Sequence, residues 1–374
     1  MKYMFIAGEA SGDLHASRVI DEIRQRDPRA AFMFFGGDLM AAAADIKPMV
    51  HFSEMAYMGF SEVLRNLGKI SDNLKSAKRL LRMWEPDALV LVDYPSFNLK
   101  VAAAAKKLGI PVFYYISPKV WAWKEWRVAT LKKVVTRMYC IFPFEVGWYR
   151  DHHQWKVNYV GNPSVEEIDA AMASAPSRAE FLAKYKLRDR QIVALLPGSR
   201  LGEIKNNLEI MTRAMRQFPQ YRGVVAGAPG VPADFYKSFT DLPVITGATF
   251  DLLANARAAL VTSGTATLEA ALAGVPQVVC YRSNGSKIAY NVMKRMLSVN
   301  HVTLPNLITG REIIPELLLH LCTPDTVATN LAPLLRDSPE RARMLDDYRE
   351  MRKVLSGADA AANVAKDIIA TLAQ

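Results

Sequence analysis

Short runs of apolar, β-branched and aromatic residues alternate along the chain with longer stretches in which apolar positions recur every three or four residues. Runs of the first kind predict buried strands at Tyr3–Ala7, Ala31–Phe35, Ala88–Val92, Val112–Ile116 and Met138–Phe142. Stretches of the second kind, such as Leu14–Gln25 and Lys69–Met83, predict amphipathic helices between them. Such alternation predicts a parallel sheet with helices on both faces. The pattern pauses at the turn signal Gly161-Asn162-Pro163 and crosses a polar, Ala-rich stretch at Val165–Lys184. It then resumes with strands at Ile192–Leu196, Gly223–Ala226, Val244–Ile245, Ala258–Thr262 and Gln277–Tyr281. The predicted fold is therefore α/β, with two Rossmann-like, doubly wound domains over residues 1–164 and 165–350. A helical C-terminus over 351–374 either packs back on the first domain or exchanges with a partner chain in a homodimer.

Composition narrows the classes of function. Of 374 residues, 51% are hydrophobic and 22% charged, which excludes a disordered chain. Cys140, Cys280 and Cys322 are widely spaced and form no CxxC, so neither a disulfide framework nor a zinc ribbon is expected. The most apolar stretch, Ala258–Tyr281, is interrupted by Glu269, Gly264, Gly274 and Pro276, which argues against a membrane span. At the N-terminus, Glu9 and Asp13 follow the apolar run too soon for a signal peptide, so a cytoplasmic location is expected. The net charge of +10 suits an anionic partner: nucleic acid, an acidic membrane surface or a phosphorylated substrate.

Ligands of doubly wound sheets bind beyond the carboxyl ends of the strands, so the loops there carry the candidate chemistry. Gly8-Glu9-Ala10-Ser11-Gly12-Asp13 follows the first strand and opens a helix; it is either an anion-binding turn or a tight turn with Asp13 as a helix cap. It is neither GxGxxG nor a Walker A. Asp93, after the most hydrophobic strand, is a general-base candidate if burial raises its pKa, and otherwise an Asx-turn carboxylate. Leu196-Pro197-Gly198-Ser199-Arg200 precedes a helix whose free amides, with Arg200, suit a phosphate. In Thr262-Ser263-Gly264-Thr265, small residues offer backbone and hydroxyl donors, and Glu269 lies one turn further, where it could accept from a ribose. Each of these loops has a simpler reading as a capped helix start. Two in one domain nonetheless suggest a nucleoside diphosphate, its charge met by Arg200 and helix dipoles, with neither metal nor cofactor expected. The six histidines lack ligand or triad spacing and read as structural or solvated.

Residues 57–70 carry an apolar stripe (Met58, Phe60, Val63, Leu64, Leu67, Ile70) beside the basic residues Lys69, Lys75 and Arg79. That combination fits an interfacial membrane helix or an ordinary core-facing one. Ser117–Arg127 adds three tryptophans interleaved with Lys119, Lys124 and Arg127, which could stack on bases, grip an anionic lipid or pack.

Six ordered motifs carry a family resemblance: "AGEASGDLH" near the N-terminus, "VDYPSFN" at 92–98, "SPKVWAWKEWR" at 117–127, "LLPGSRLGEI" at 195–204, "SGTATLEAAL" at 263–272 and "LPNLITGREIIPEL" at 304–317. Together they resemble the lipid-A-disaccharide synthases, membrane-associated glycosyltransferases, over residues 3 to about 320. The resemblance implies a GT-B architecture of two domains facing a cleft. It implies transfer of 2,3-diacylglucosamine from a UDP donor to 2,3-diacylglucosamine 1-phosphate, with inversion, at the inner leaflet of the inner membrane. Carried onto this chain, it makes Asp93 the first choice of base, with Glu9 and Asp13 as alternatives. It assigns UDP to Arg200, Ser199, Ser263, Gly264, Thr265 and Glu269, and a donor contact to Asn306. Asn162 and Lys119 depart from the pattern, which often has histidine and a small polar residue there. The alternatives are a UDP-N-acetylglucosamine 2-epimerase, which would have no lipid-docking stripe, and a basic nucleic-acid binder. The basic residues are spread rather than striped, so no nucleic-acid partner is expected.

Overall fold

The computed structural model describes residues 1–55, 67–282, 301–355 and 359–374, with the Leu67 side chain also outside the described set. The chain divides into two compact units, Met1–Pro163 with Gly357–Gln374, and Ser164–Ser356.

The first unit is built on a seven-stranded sheet, β1 (Lys2–Ala7), β2 (Ala31–Gly36), β3 (Val50–His51), β4 (Ala88–Val92), β5 (Val112–Tyr115), β6 (Arg137–Cys140) and β7 (Asn158–Tyr159). Its order is β3-β2-β1-β4-β5-β6-β7 and every pairing is parallel. Side chains of a strand alternate between faces, so β1 divides its apolar residues between two cores. Met4 and Ile6 join Leu89 and Leu91 of β4 against the helices Leu67–Trp84 and Pro95–Lys107. Tyr3, Phe5 and Ala7 join Val90 on the other face, against the helices Ala10–Arg26 and Ala360–Leu372. Burial on both faces is why β1 and β4 read as unbroken apolar runs rather than alternating ones. Each fully buried aliphatic side chain there contributes about 2 kcal/mol of transfer free energy.

The C-terminal helix is part of this first core. Ala361, Val364 and Ile368 are buried in it, Asn363 Nδ2 donates to the Val160 carbonyl (3.0 Å), and Tyr139 donates to Asp367 (2.7 Å). The preceding helix, Pro339–Leu355, belongs to the second unit and runs through residue 350, so the division falls after it.

The second unit holds β8 (Ile192–Leu196), β9 (Arg222–Gly227), β10 (Val244–Thr246), β11 (Ala256–Val261), β12 (Gln277–Tyr281) and β13 (Glu316–Leu318), in the order β10-β9-β8-β11-β12-β13, again all parallel. Three strands were not anticipated, β3, β7 and β13. They are two or three residues long and lie at sheet edges, too short to show a period. Both sheets reverse their winding once, between β1 and β4 and between β8 and β11. Chains leaving these strand pairs diverge to opposite faces and leave a crevice between them.

Candidate active site

In the first unit, the crevice is edged by the loops after β1 and β4. Gly8 is required by packing: a Cβ there would lie 2.4 Å from the Tyr94 ring. Glu9 follows in extended conformation at the start of the helix Ala10–Arg26, its carbonyl accepting from the Asp13 amide (2.9 Å). Asp13 is buried, and its carboxylate accepts from the amides of Gly37 (2.6 Å), Leu39 (3.1 Å) and Met40 (3.2 Å). It therefore caps the helix Asp38–Ala44, which gives Asp13 a structural role.

Asp93 is the first residue after β4. Asp93 and Tyr94 both take left-handed backbone, with φ of 45° and 46°. Such conformations cost on the order of 1–3 kcal/mol each in residues with a side chain. The surroundings enforce them: Asn98 Nδ2 (2.8 Å) and Tyr114 Oη (2.5 Å) both donate to the Asp93 carbonyl, and Tyr94 Oη donates to the Met55 carbonyl (2.7 Å). Burial raises the carboxyl pKa of Asp93; Lys119, the Tyr94 amide and His15 pull it back down. Lys119 and His15 thus flank Asp93 electrostatically, which no motif assigned to them. Lys119 comes from the segment after β5 and His15 from the helix Ala10–Arg26, so only the fold discloses them.

The segment Ser117–Arg127 splits by role. Trp121 is buried and donates to Glu145 Oε1 (3.0 Å), whose carboxyl burial pushes up to about 7. Trp123 and Trp126 are 61% and 70% exposed, with Lys124 Nζ 3.9 Å from the Trp123 ring centroid and the Arg127 guanidinium 5.5 Å from that of Trp126. On the helix Leu67–Trp84, Lys69, Lys75 and Arg79 are exposed and Ile70 is half-buried. Lys75 pairs with Asp72 (3.1 Å). Met58, Phe60, Val63, Leu64 and the Leu67 side chain lie outside the described residues. Between this helix and Pro95–Lys107 runs a groove of about 290 Å³, in which Lys78, Arg82, Lys100 and Lys107 surround a floor of Ala103 and Ala104.

In the second unit, a pocket of about 490 Å³ lies at the β8–β11 crevice. Its lining unites the two phosphate-suited loops: Gly198, Ser199 and Arg200 after β8, and Thr262 through Thr265 after β11, with Glu269 behind them. The helix Thr265–Leu272 has no side-chain cap, so its first-turn amides face the pocket's mouth without a side-chain acceptor. Thr262 Oγ1 is buried in the lining with no hydrogen-bond partner among the described residues. A buried hydroxyl at a strand end is stabilised when a water, ion or ligand supplies a partner. Burial, reinforced by Glu167, raises the pKa of Glu269.

At the edge of this pocket Glu203 Oε2 accepts from Ser199 N (3.1 Å) and Arg200 N (3.4 Å), and Oε1 lies 3.3 Å from Arg200 Nη1. An acid at the third position of a helix is a readable capping signal. Asn306, expected to touch the donor, is fully buried outside the pocket lining. Its Oδ1 accepts from Ile313 N (2.8 Å) and Ile314 N (3.0 Å), and its Nδ2 donates to the Ile314 carbonyl (3.0 Å) and Glu316 Oε1 (2.9 Å). With these four bonds, Asn306 ties the helix Leu304–Thr309 to β13.

The family model described as lipid-A-disaccharide synthetase matches residues 3–369. Among curated relatives, the lipid-A-disaccharide synthase of Myxococcus xanthus is 37% identical over 99% of this chain and 97% of its own length. That of Syntrophus aciditrophicus is 36% identical over 94% and 93%. Among solved structures, the UDP-GlcNAc 2-epimerase of Neisseria meningitidis bound to UDP-GlcNAc superposes with a TM-score of 0.64 at 13% identity, over all of both chains. MurG of Acinetobacter baumannii gives 0.58 at 14%, over 99% of each. These structural likenesses establish the two-domain GT-B fold, and the match along nearly the whole sequence establishes more: the chain belongs to the lipid-A-disaccharide synthase family, glycosyltransferases of lipid A biosynthesis.

Proposed function

We propose that the enzyme transfers 2,3-diacylglucosamine from UDP-2,3-diacylglucosamine to 2,3-diacylglucosamine 1-phosphate with inversion, releasing UDP and the β-1′,6-linked disaccharide 1-phosphate. The observation that carries this reading is the second-unit pocket. There, Arg200, an uncapped helix start and an orphan buried hydroxyl meet at the crevice where a parallel sheet binds its ligand. Arg200 and the Ser199 amide neutralise the diphosphate; Ser263, Gly264 and Thr265 hold its second phosphate; Glu269 accepts from the ribose hydroxyls. The acceptor chemistry belongs to the first unit. Asp93 takes the proton of the acceptor 6-hydroxyl as its oxygen attacks the anomeric carbon, on the face opposite the breaking bond to UDP. Burial strengthens Asp93 as a base, while Lys119 and His15 hold it ionised. Glu9, on the neighbouring strand end, is the alternative.

No helix among the described residues is long and apolar enough to cross a membrane. We propose peripheral docking on the inner leaflet through residues 57–70 with Lys69, Lys75 and Arg79, extended by the basic groove and by Trp123 and Trp126. Each basic residue near an anionic surface contributes about 1 kcal/mol. An epimerase reading rests on fold likeness at 12–15% identity alone, whereas the sequence relatives at 34–37% are named synthases.

The test is a turnover assay with both detergent-dispersed acylated substrates and EDTA, following UDP and disaccharide. UDP-N-acetylglucosamine is supplied separately to detect epimerisation. Disaccharide is expected; none from folded enzyme, with epimerisation in its place, would overturn the proposal. Co-sedimentation with phosphatidylglycerol vesicles, reduced in a Lys69→Glu/Lys75→Glu variant, checks the docking face.

A further inference from the structure

We infer that the Glu203 side chain is a placeholder for the donor's diphosphate: its carboxylate fills the anion seat of the Pro197–Arg200 loop when the site is empty and leaves it when the donor binds. The inference rests on the proposed UDP site.

Glu203 does more than cap a helix. A capping glutamate returns to the amide of the N-cap residue. This one also accepts from the Ser199 amide, which lies before the helix, and pairs with the Arg200 guanidinium, so a single carboxylate collects three donors of one loop. The loop is shaped around it. Gly198 has φ of +112°, and a Cβ there would lie 2.5 Å from Glu203 Oε2. Loop and carboxylate together form part of the pocket wall.

The charges of the lining explain the consequence. Arg200 is the only cation among the described lining residues, and Glu203 already pairs with it; Glu269 is the other acid. A diphosphate meeting this wall finds the Arg200 guanidinium already paired until Glu203 withdraws. Withdrawal is sterically open, because the side chain is 28% exposed at the first turn of its helix. It releases two amides and a guanidinium together, already arranged around an anion. The empty loop is thereby held in the shape the ligand needs. Affinity for the phosphates, though not for the nucleoside, is reduced by the exchange.

The experiment is titration calorimetry of the full chain with UDP and, separately, with uridine, for wild type, Glu203→Gln and Glu203→Ala. The Gln side chain keeps the shape and most of the bonding without the charge. Glu203→Gln is expected to bind UDP more tightly by about fivefold, the scale of one solvent-touched charge pair, with uridine affinity unchanged. UDP binding by Glu203→Gln that is unchanged or weaker, beside normal wild-type binding, overturns the inference and leaves the UDP site standing. Failure of folded wild type to bind either ligand overturns both. Glu203→Ala separates loop shape from charge: weaker UDP binding there, with tighter binding in Glu203→Gln, is the expected pattern, and if the Ala variant misfolds, the Gln comparison decides alone.

Discussion

The two units solve the same topological problem with opposite chemistry. Each has one reversal of strand order, and each puts two loops beside it. At β1 and β4 the loops present carboxylates on backbone that large side chains hold in place: Tyr94 covers Gly8, and Asn98 and Tyr114 pin the left-handed Asp93. At β8 and β11 the loops are small residues and helix starts, with one arginine. The difference teaches what each task requires. A base must be partly desolvated and aimed, and aiming a short side chain against its preferred backbone needs a rigid surround. Holding an anion needs many modest donors at close approach, which glycine, serine and uncapped amides supply without bulk.

The contrast can be broken in order of expected effect. Asp93→Asn should lower turnover by about 10²-fold or more with UDP affinity unchanged, since only proton abstraction is removed. Steady-state kinetics with UDP titration checks this, and an equal loss of UDP affinity would erase the division of labour. Asn306→Ala should leave two buried amides unpaired and lower stability by about 2–4 kcal/mol, seen as an earlier thermal transition. UDP binding per folded molecule should stay intact; selective loss of binding in a stable variant would return Asn306 to the site. Arg200→Ala should raise the donor KM by about 10- to 100-fold with a smaller change in kcat, the scale of lost charged hydrogen bonds. The smallest effect concerns pH. The proposed base must be ionised to act, and burial raises the pKa of Asp93, so the acid limb of kcat/KM should lie above the ordinary aspartate range. Lys119 pulls that pKa down, so Lys119→Met should move the limb to higher pH. A shift to lower pH would remove Asp93 from the base role.

The dominant strands were legible because they are buried on both faces: Ala88–Val92, Ile192–Leu196 and Gln277–Tyr281 match residue for residue. The edge strands β3, β7 and β13 were not, because two or three residues carry no period; β10, equally short, was legible only as Val244–Ile245. Individual loops such as that of Ser199 and Arg200 were legible as strand-end chemistry. Their gathering into one pocket was not, since β8 and β11 are neighbours only in the sheet. The thiols of Cys280 and Cys322, far apart in sequence, meet in the same way.

The sequence by itself determined the fold class, the strands that winding would bury, the family and the residue types of the loops at the strand ends. Those follow from local hydrophobic period and from motifs that are contiguous in the chain. Only the tertiary structure decided what each polar group is bonded to. It turned Asp13 into a cap for a helix more than twenty residues away, as its bonds to Gly37, Leu39 and Met40 record. It made Asn306 a brace and set Glu203 in the anion seat. The reason is physical: a buried donor or acceptor must find a partner wherever the fold brings one, and that partner decides whether a side chain is left free to do chemistry.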